Sequence, residues 1–183
     1  MTSNVTSGNT DTTRHTATRW VVAGALAVGA ALGFGGNFAP DGPVQDLLYA
    51  LSAAGLVLGA VFLALEHAAM GHTLAASGFV ILALGETRIL NPTDAPGGEA
   101  SFAAGVLLYV PALLLIALSP LAPRWTRAVG AVAAVPFAAH ALAFFADADV
   151  KSDGPIPSVG YALLTVAIVG WIITVLRGLR TPA

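Results

Sequence analysis

The chain contains no cysteine. That absence excludes a disulfide framework, thiolate metal ligation and a cysteine nucleophile together. Charge is scarce as well: Asp, Glu, Lys and Arg make up 10% of the 183 residues, against about 25% in an average soluble domain. The formal net charge is −2 and no basic stripe runs through the chain, so a nucleic-acid partner is not expected. No glycine-rich phosphate loop stands ahead of a helix, and no Ser-His-Asp set can be picked out. The polar landmarks of the two halves do not correspond, so no internal repeat is read.

What the chain does have is apolar length. Apolar residues are 56% of the sequence and the mean hydropathy is +0.80. They fall in runs near the roughly 17–25 residues that cross a hydrocarbon core about 30 Å thick. The sequence predicts an all-α integral membrane bundle of six transmembrane helices, with the N-terminus and C-terminus inside. Residues 1–19 are rich in Ser, Thr and Asn and lack apolar residues to bury, which predicts a disordered polar cytoplasmic tail. Residues 20–180 form a single transmembrane helical domain, with spans at about 20–38, 44–65, 72–90, 102–121, 125–145 and 156–176. The run from Leu47 to Leu90 is about twice one span, so a turn is required inside it. The polar stretch Glu66–His72 is the place for that turn. Asn91–Glu99 and Asp147–Pro157 read as loops by their Pro, Gly and acidic content.

The basic residues orient the bundle. Of the eight, Arg14, Arg19, Arg124, Arg127, Arg177 and Arg180 fall on the side of the N-terminus, and only Arg88 and Lys151 fall on the other. Lys and Arg near span ends favour the cytoplasm, so the expected location is the cytoplasmic membrane, with both termini inside. Trp20 and Trp125 sit at inner boundaries beside Arg19 and Arg124, where indoles prefer to lie. A cleaved signal peptide ending near Phe38-Ala39-Pro40 would leave five spans. The apolar stretch is long for that role and no clean A-x-A site precedes the break.

Ionisable groups away from span ends are the sequence's best functional pointers, because a charge at mid-membrane costs about 2.5–3.5 kcal/mol on the gentler insertion scale. At about 1.5 Å per residue, Glu86 lies roughly 21 Å from the inner end of the third helix and His140 roughly 22 Å from that of the fifth. Tyr109 lies roughly 10 Å in from the outer end of the fourth. These three share one layer in the outer half, with Arg88 slightly further out, and together suggest a ligand or proton site. The plainer reading has Glu86 and Arg88 reaching the outer headgroups, Tyr109 as a belt aromatic and His140 as a packing histidine. Pro111 and Pro136 lie near the midplane and free the carbonyls of Leu107 and Val132, which predicts helix kinks.

Glu66, His67 and His72 form a weak metal pattern, since two His five apart do not share a helix face. A haem between two axial His is disfavoured, because only His140 is well inside a span and His67 and His72 lie at the opposite face. The sequence names no cofactor. Gly29 and Gly33 in the first helix, and Gly55 and Gly59 in the second, make small-xxx-small faces that pack internally or bind another subunit. The leading expectation is a non-enzymatic accessory or structural subunit, whose partners are the lipid bilayer and either a second copy (a homo-oligomer) or a larger membrane complex. The rival is a small transporter, or a ligand-, metal- or cofactor-binding protein, using the Glu86–Tyr109–His140 layer. Polar residues within the spans are too few for a hydrolytic site to be expected.

Overall fold

A hydrocarbon core offers no water to backbone N–H and C=O groups, so an apolar chain satisfies them within helices. The computed structural model describes residues 8–40, 42–90 and 98–178, with side chains described from residue 17. Among them are six helices and no strand: α1 (Gly8–Gly36), α2 (Pro43–Ala69), α3 (Thr73–Leu90), α4 (Glu99–Ala117), α5 (Arg124–Phe145) and α6 (Pro155–Arg177). Each is long and apolar enough to cross a membrane, α1 over its Ala17–Gly36 portion. This suggests a multi-pass membrane protein.

Several boundaries differ from expectation. α1 reaches back to Gly8, into the polar segment read as unstructured. Of the other features read in the sequence, residues 1–7, most of the Asn91–Glu99 loop and Arg180 lie outside the described residues. α2 runs on to Ala69, so Glu66 and His67 belong to its last turn and not to a hinge. The chain reverses at Met70–His72 instead, where Gly71 takes a left-handed φ of 80° that a side chain would resist. α4 starts at Glu99, after a left-handed Gly98, and stops at Ala117 rather than near Leu121. Pro120 disfavours helical backbone at the residue before it, Ser119. Arg127 closes the gap by donating from Nε to the Ala117 carbonyl oxygen at 2.6 Å.

Each helix packs on the next, and α6 returns to α1, so the six form a closed ring. Short links make consecutive helices antiparallel, which puts Arg19, Arg124, Arg127 and Arg177 at one end. Asp46, Glu99, Asp147, Asp149 and Asp153 lie at the other. These are the basic and acidic ends below. The ring's centre is filled by side chains, among them Leu26, Leu63, Phe79, Tyr109, Leu113, Phe137, Leu164, Ile168 and Trp171.

Glycines set how closely the helices approach. A Cβ at Gly55 would lie 2.6 Å from the Ala25 carbonyl oxygen and 2.9 Å from the Gly29 nitrogen. One at Gly29 would meet Leu56 at 2.8 Å, one at Gly59 would meet Leu26 at 2.5 Å, and one at Gly33 would meet the Ser52 hydroxyl at 2.7 Å. The two glycine faces therefore look at each other between α1 and α2. Ser52 adds a hydrogen bond from its hydroxyl to the Gly29 carbonyl at 2.7 Å.

At Gly55 the obstacle is backbone, which cannot swing aside. Gly55→Ala is expected to destabilise the detergent-solubilised protein by about 1–3 kcal/mol, the usual range for overpacking. Gly24 has nothing within 4 Å, so Gly24→Ala serves as the control. Thermal unfolding followed by size-exclusion chromatography separates the two; equal midpoints would show that the α1–α2 contact tolerates a methyl group.

Candidate functional site

The third and fourth helices meet through glycine. A Cβ at Gly85 would lie 2.7 Å from the Tyr109 ring and 2.9 Å from the Gly105 carbonyl oxygen. At Gly105 it would lie 2.9 Å from the Gly85 carbonyl oxygen. Lacking those side chains, α3 and α4 come close enough for the Tyr109 ring to lie across α3 at Gly85. The phenol then meets the next residue. The Tyr109 hydroxyl donates to Glu86 Oε1, and both side chains are buried.

Glu86 is only 6% exposed. It does not reach out to headgroups, and Tyr109, fully buried, is no belt aromatic. Arg88, two residues beyond Glu86 and therefore on another side of α3, is half-buried. Tyr161 of α6 stands beside the Glu86–Tyr109 pair, its ring centroid 6.3 Å from that of Tyr109. Phe137 packs edge-on against both, at 5.1 Å from Tyr109 and 5.2 Å from Tyr161. Gly160 leaves the room for it: a Cβ there would sit 2.7 Å from the Phe137 ring.

His140 does not join this pair. It lies on α5, which does not touch α3 in the ring. Its side chain is fully buried, and neither ring nitrogen has a hydrogen-bond partner. Its ring stands edge-on to Phe102 at 5.2 Å, and Phe102 also faces Tyr161 at 6.3 Å. Glu99 is the charged group that acts on His140. Its carboxylate is held by the Ser152 backbone N–H at 2.9 Å and the Ser152 hydroxyl at 3.0 Å. The layer read from the sequence thus divides: Glu86 and Tyr109 are bonded to each other with Tyr161 beside them, and His140 stands apart with Glu99. Phe102 stands against both. Pro111 and Pro136 lie inside α4 and α5, which continue through them.

The basic end carries a third polar group. His67 Nδ1 donates to the Leu63 carbonyl at 2.8 Å, since a carbonyl only accepts. Nε2 of that neutral tautomer accepts from the Ser119 hydroxyl at 3.1 Å. Ser119 in turn accepts from the Leu121 N–H at 3.3 Å. With both nitrogens engaged, His67 has nothing left for a metal, and its ring centroid is 6.4 Å from that of His72. Among the described residues no three His, Asp or Glu side chains group as metal ligands would. A cavity of about 10 Å³, lined by His67, Ser119, Thr174 and apolar neighbours, has room for about one water.

Sequence reasoning missed Tyr161, Glu99, Phe102 and Gly85. Tyr161 had a usable signal: it lies roughly 9 Å along α6 from Pro155, at a depth like that of Tyr109. Gly85 had none that set it apart from its neighbours.

If the phenol satisfies the buried carboxyl, the two are energetically coupled. Tyr109→Phe is expected to destabilise the protein by about 1–3 kcal/mol, the range for leaving a buried polar group unpaired. In a Glu86→Leu background the same substitution should have a much smaller effect. A double-mutant cycle on thermal midpoints in detergent measures this; additive effects would mean the contact contributes no coupling.

No protein-family model, no curated protein and no solved structure matches the chain, so its function is read from the site's own geometry.

Proposed function

We propose that this is a multi-pass membrane protein that takes up and releases a proton at Glu86, within a bundle whose basic end faces the cytoplasm. The observation that carries the reading is the buried Glu86–Tyr109 hydrogen bond inside the ring. An ionisable group in a membrane span is a functional pointer because an apolar residue would pack there without the electrostatic penalty. Here the carboxyl is paired with a phenol, and a second phenol stands beside them. Such an array can pass a proton without leaving a net charge on either tyrosine.

Packing supports a proton over a larger solute. The cavity beside His67 and Trp171 and the one beside Thr126 and Arg127 hold about one water at most, and a proton needs no cavity. The small-residue faces that pointed to an accessory subunit are occupied within the chain, Gly29 and Gly33 against Gly55 and Gly59. That leaves the accessory reading without its positive support.

Infrared difference spectroscopy on the full chain in lipid nanodiscs tests the site. Between acid and alkaline buffer, a carboxyl C=O band should appear and disappear, vanish in Glu86→Gln and change frequency in Tyr109→Phe. A wild-type spectrum with no Glu86-dependent band would sink the proposal. The orientation has its own test, made simple by the lack of native cysteine. A membrane-impermeant maleimide should label Ala148→Cys on intact cells and Thr73→Cys only after disruption. The opposite pattern would reverse the assigned topology.

A further inference from the structure

We infer that the proton exchanged at Glu86 enters from the acidic end of the bundle through Glu99 and His140, with Tyr161 and Tyr109 as its last links. The inference rests on the proton-site reading above and adds its route and sidedness. Five polar groups make up the route. Glu99 is half-buried in the first turn of α4. Phe102, three residues on, shares its helix face and touches His140, so the carboxylate stands on the histidine's side. His140 is fully buried on α5 with both nitrogens unpartnered. Tyr161 and Tyr109 then lead to Glu86.

Buried polar atoms almost always find hydrogen-bond partners. An imidazole without any, lying between a half-buried carboxylate and a half-buried phenol, is therefore the unusual feature of this end. A neutral imidazole has one lone pair and one N–H, so it can accept a proton at one nitrogen and give one up at the other. The step balances. A proton taken from water by Glu99 passes to the lone-pair nitrogen of His140. The imidazolium releases a proton from its other nitrogen to the Tyr161 oxygen. Tyr161 gives its own hydroxyl proton to Tyr109, and Tyr109 gives its own to Glu86. Both phenols and the imidazole end neutral, Glu99 is again a carboxylate, and Glu86 has become a carboxylic acid.

One link is apolar. The Phe102 ring lies 5.2 Å from His140 and 6.3 Å from Tyr161, so transfer between them requires that ring to move. The groups facing His140 are Glu99 from α4 and, across Phe102, Tyr161 from α6. The group facing Glu86 is Tyr109 from α4, with Tyr161 of α6 beside it; Arg88 lies on Glu86's own helix, and Tyr49 of α2 is electrostatically coupled to Tyr161. Toward the basic end the buried polar side chains are the hydroxyls of Ser119, Thr126 and Thr174 together with His67, none of which ionises as a carboxylate does. Phe79 and Trp171 stack edge-on at 5.2 Å, Leu113 and Leu164 are buried beside them, and both His67 nitrogens are already bonded.

The test follows the Glu86 carboxyl band in proteoliposomes while the pH is stepped on one side, with orientation fixed by the two cysteine variants above. The band should follow the pH at the acidic end. Glu99→Gln and His140→Leu should each slow its response by about a hundredfold, as loss of a positioned acid–base group does. Phe102→Ala should speed it, and Ser119→Ala at the basic end should leave it unchanged. A band that tracks basic-end pH overturns the route while leaving the Glu86 site standing. So does a wild-type rate in folded His140→Leu together with no gain in Phe102→Ala. A band that does not titrate at all overturns the site and the route with it.

Discussion

The contact between the α3 and α4 backbones at Gly85 and Gly105 decides where the buried carboxyl of this protein goes. A side chain at either position would occupy space now filled by the facing carbonyl oxygen. With both absent, an aromatic ring packs directly against a helix backbone. Its hydroxyl then reaches the residue one step further along. A carboxyl within an apolar ring thereby has a neighbouring phenol as a hydrogen-bond partner. The same device recurs between α5 and α6, where Gly160 admits Phe137, which in turn packs on Tyr109 and Tyr161.

Polar chemistry is distributed unevenly along the bundle axis. At the basic end His67 is fully engaged, and its hydrogen-bond partners are a carbonyl and a hydroxyl. That arrangement suits a fixed structural element tying α2 to the α4–α5 link. At the acidic end His140 has none of this. Two histidines of similar burial are therefore in opposite conditions, one satisfied and one not. Natural proteins tend to break the rule of polar satisfaction where function requires it, and the contrast directs attention to α5.

Much of the fold was legible before any coordinates. The bilayer imposes a span length, and Pro40, Gly42, Pro120 and Pro123 interrupt the apolar runs where helices end or nearly end. The depth of Glu86, Tyr109 and Tyr161 follows from a constant rise per residue. Azimuth does not. Nothing in the local sequence says that Glu86 points at α4 or that α3 and α5 are kept apart by α4, so Glu86 and His140 looked like partners at one depth. For the same reason the glycine faces of α1 and α2 could be seen but not their target. The Glu66–His72 stretch misled because polarity was taken as a turn signal, whereas Glu66 and His67 complete a helix that Gly71 then ends.

One property of the ring bears on how it is made. Every described helix contact but one joins consecutive helices; the exception is the seam between α1 and α6. A chain entering the membrane from its N-terminus can therefore complete each interface as soon as the next helix arrives, by closing a short loop. Only the seam waits for the last span. The partner of Glu86 lies on the very next helix, so the carboxyl meets its phenol inside a two-helix hairpin. The pair therefore needs only α3 and α4 to form, and the ring can close around a carboxyl that already has its partner.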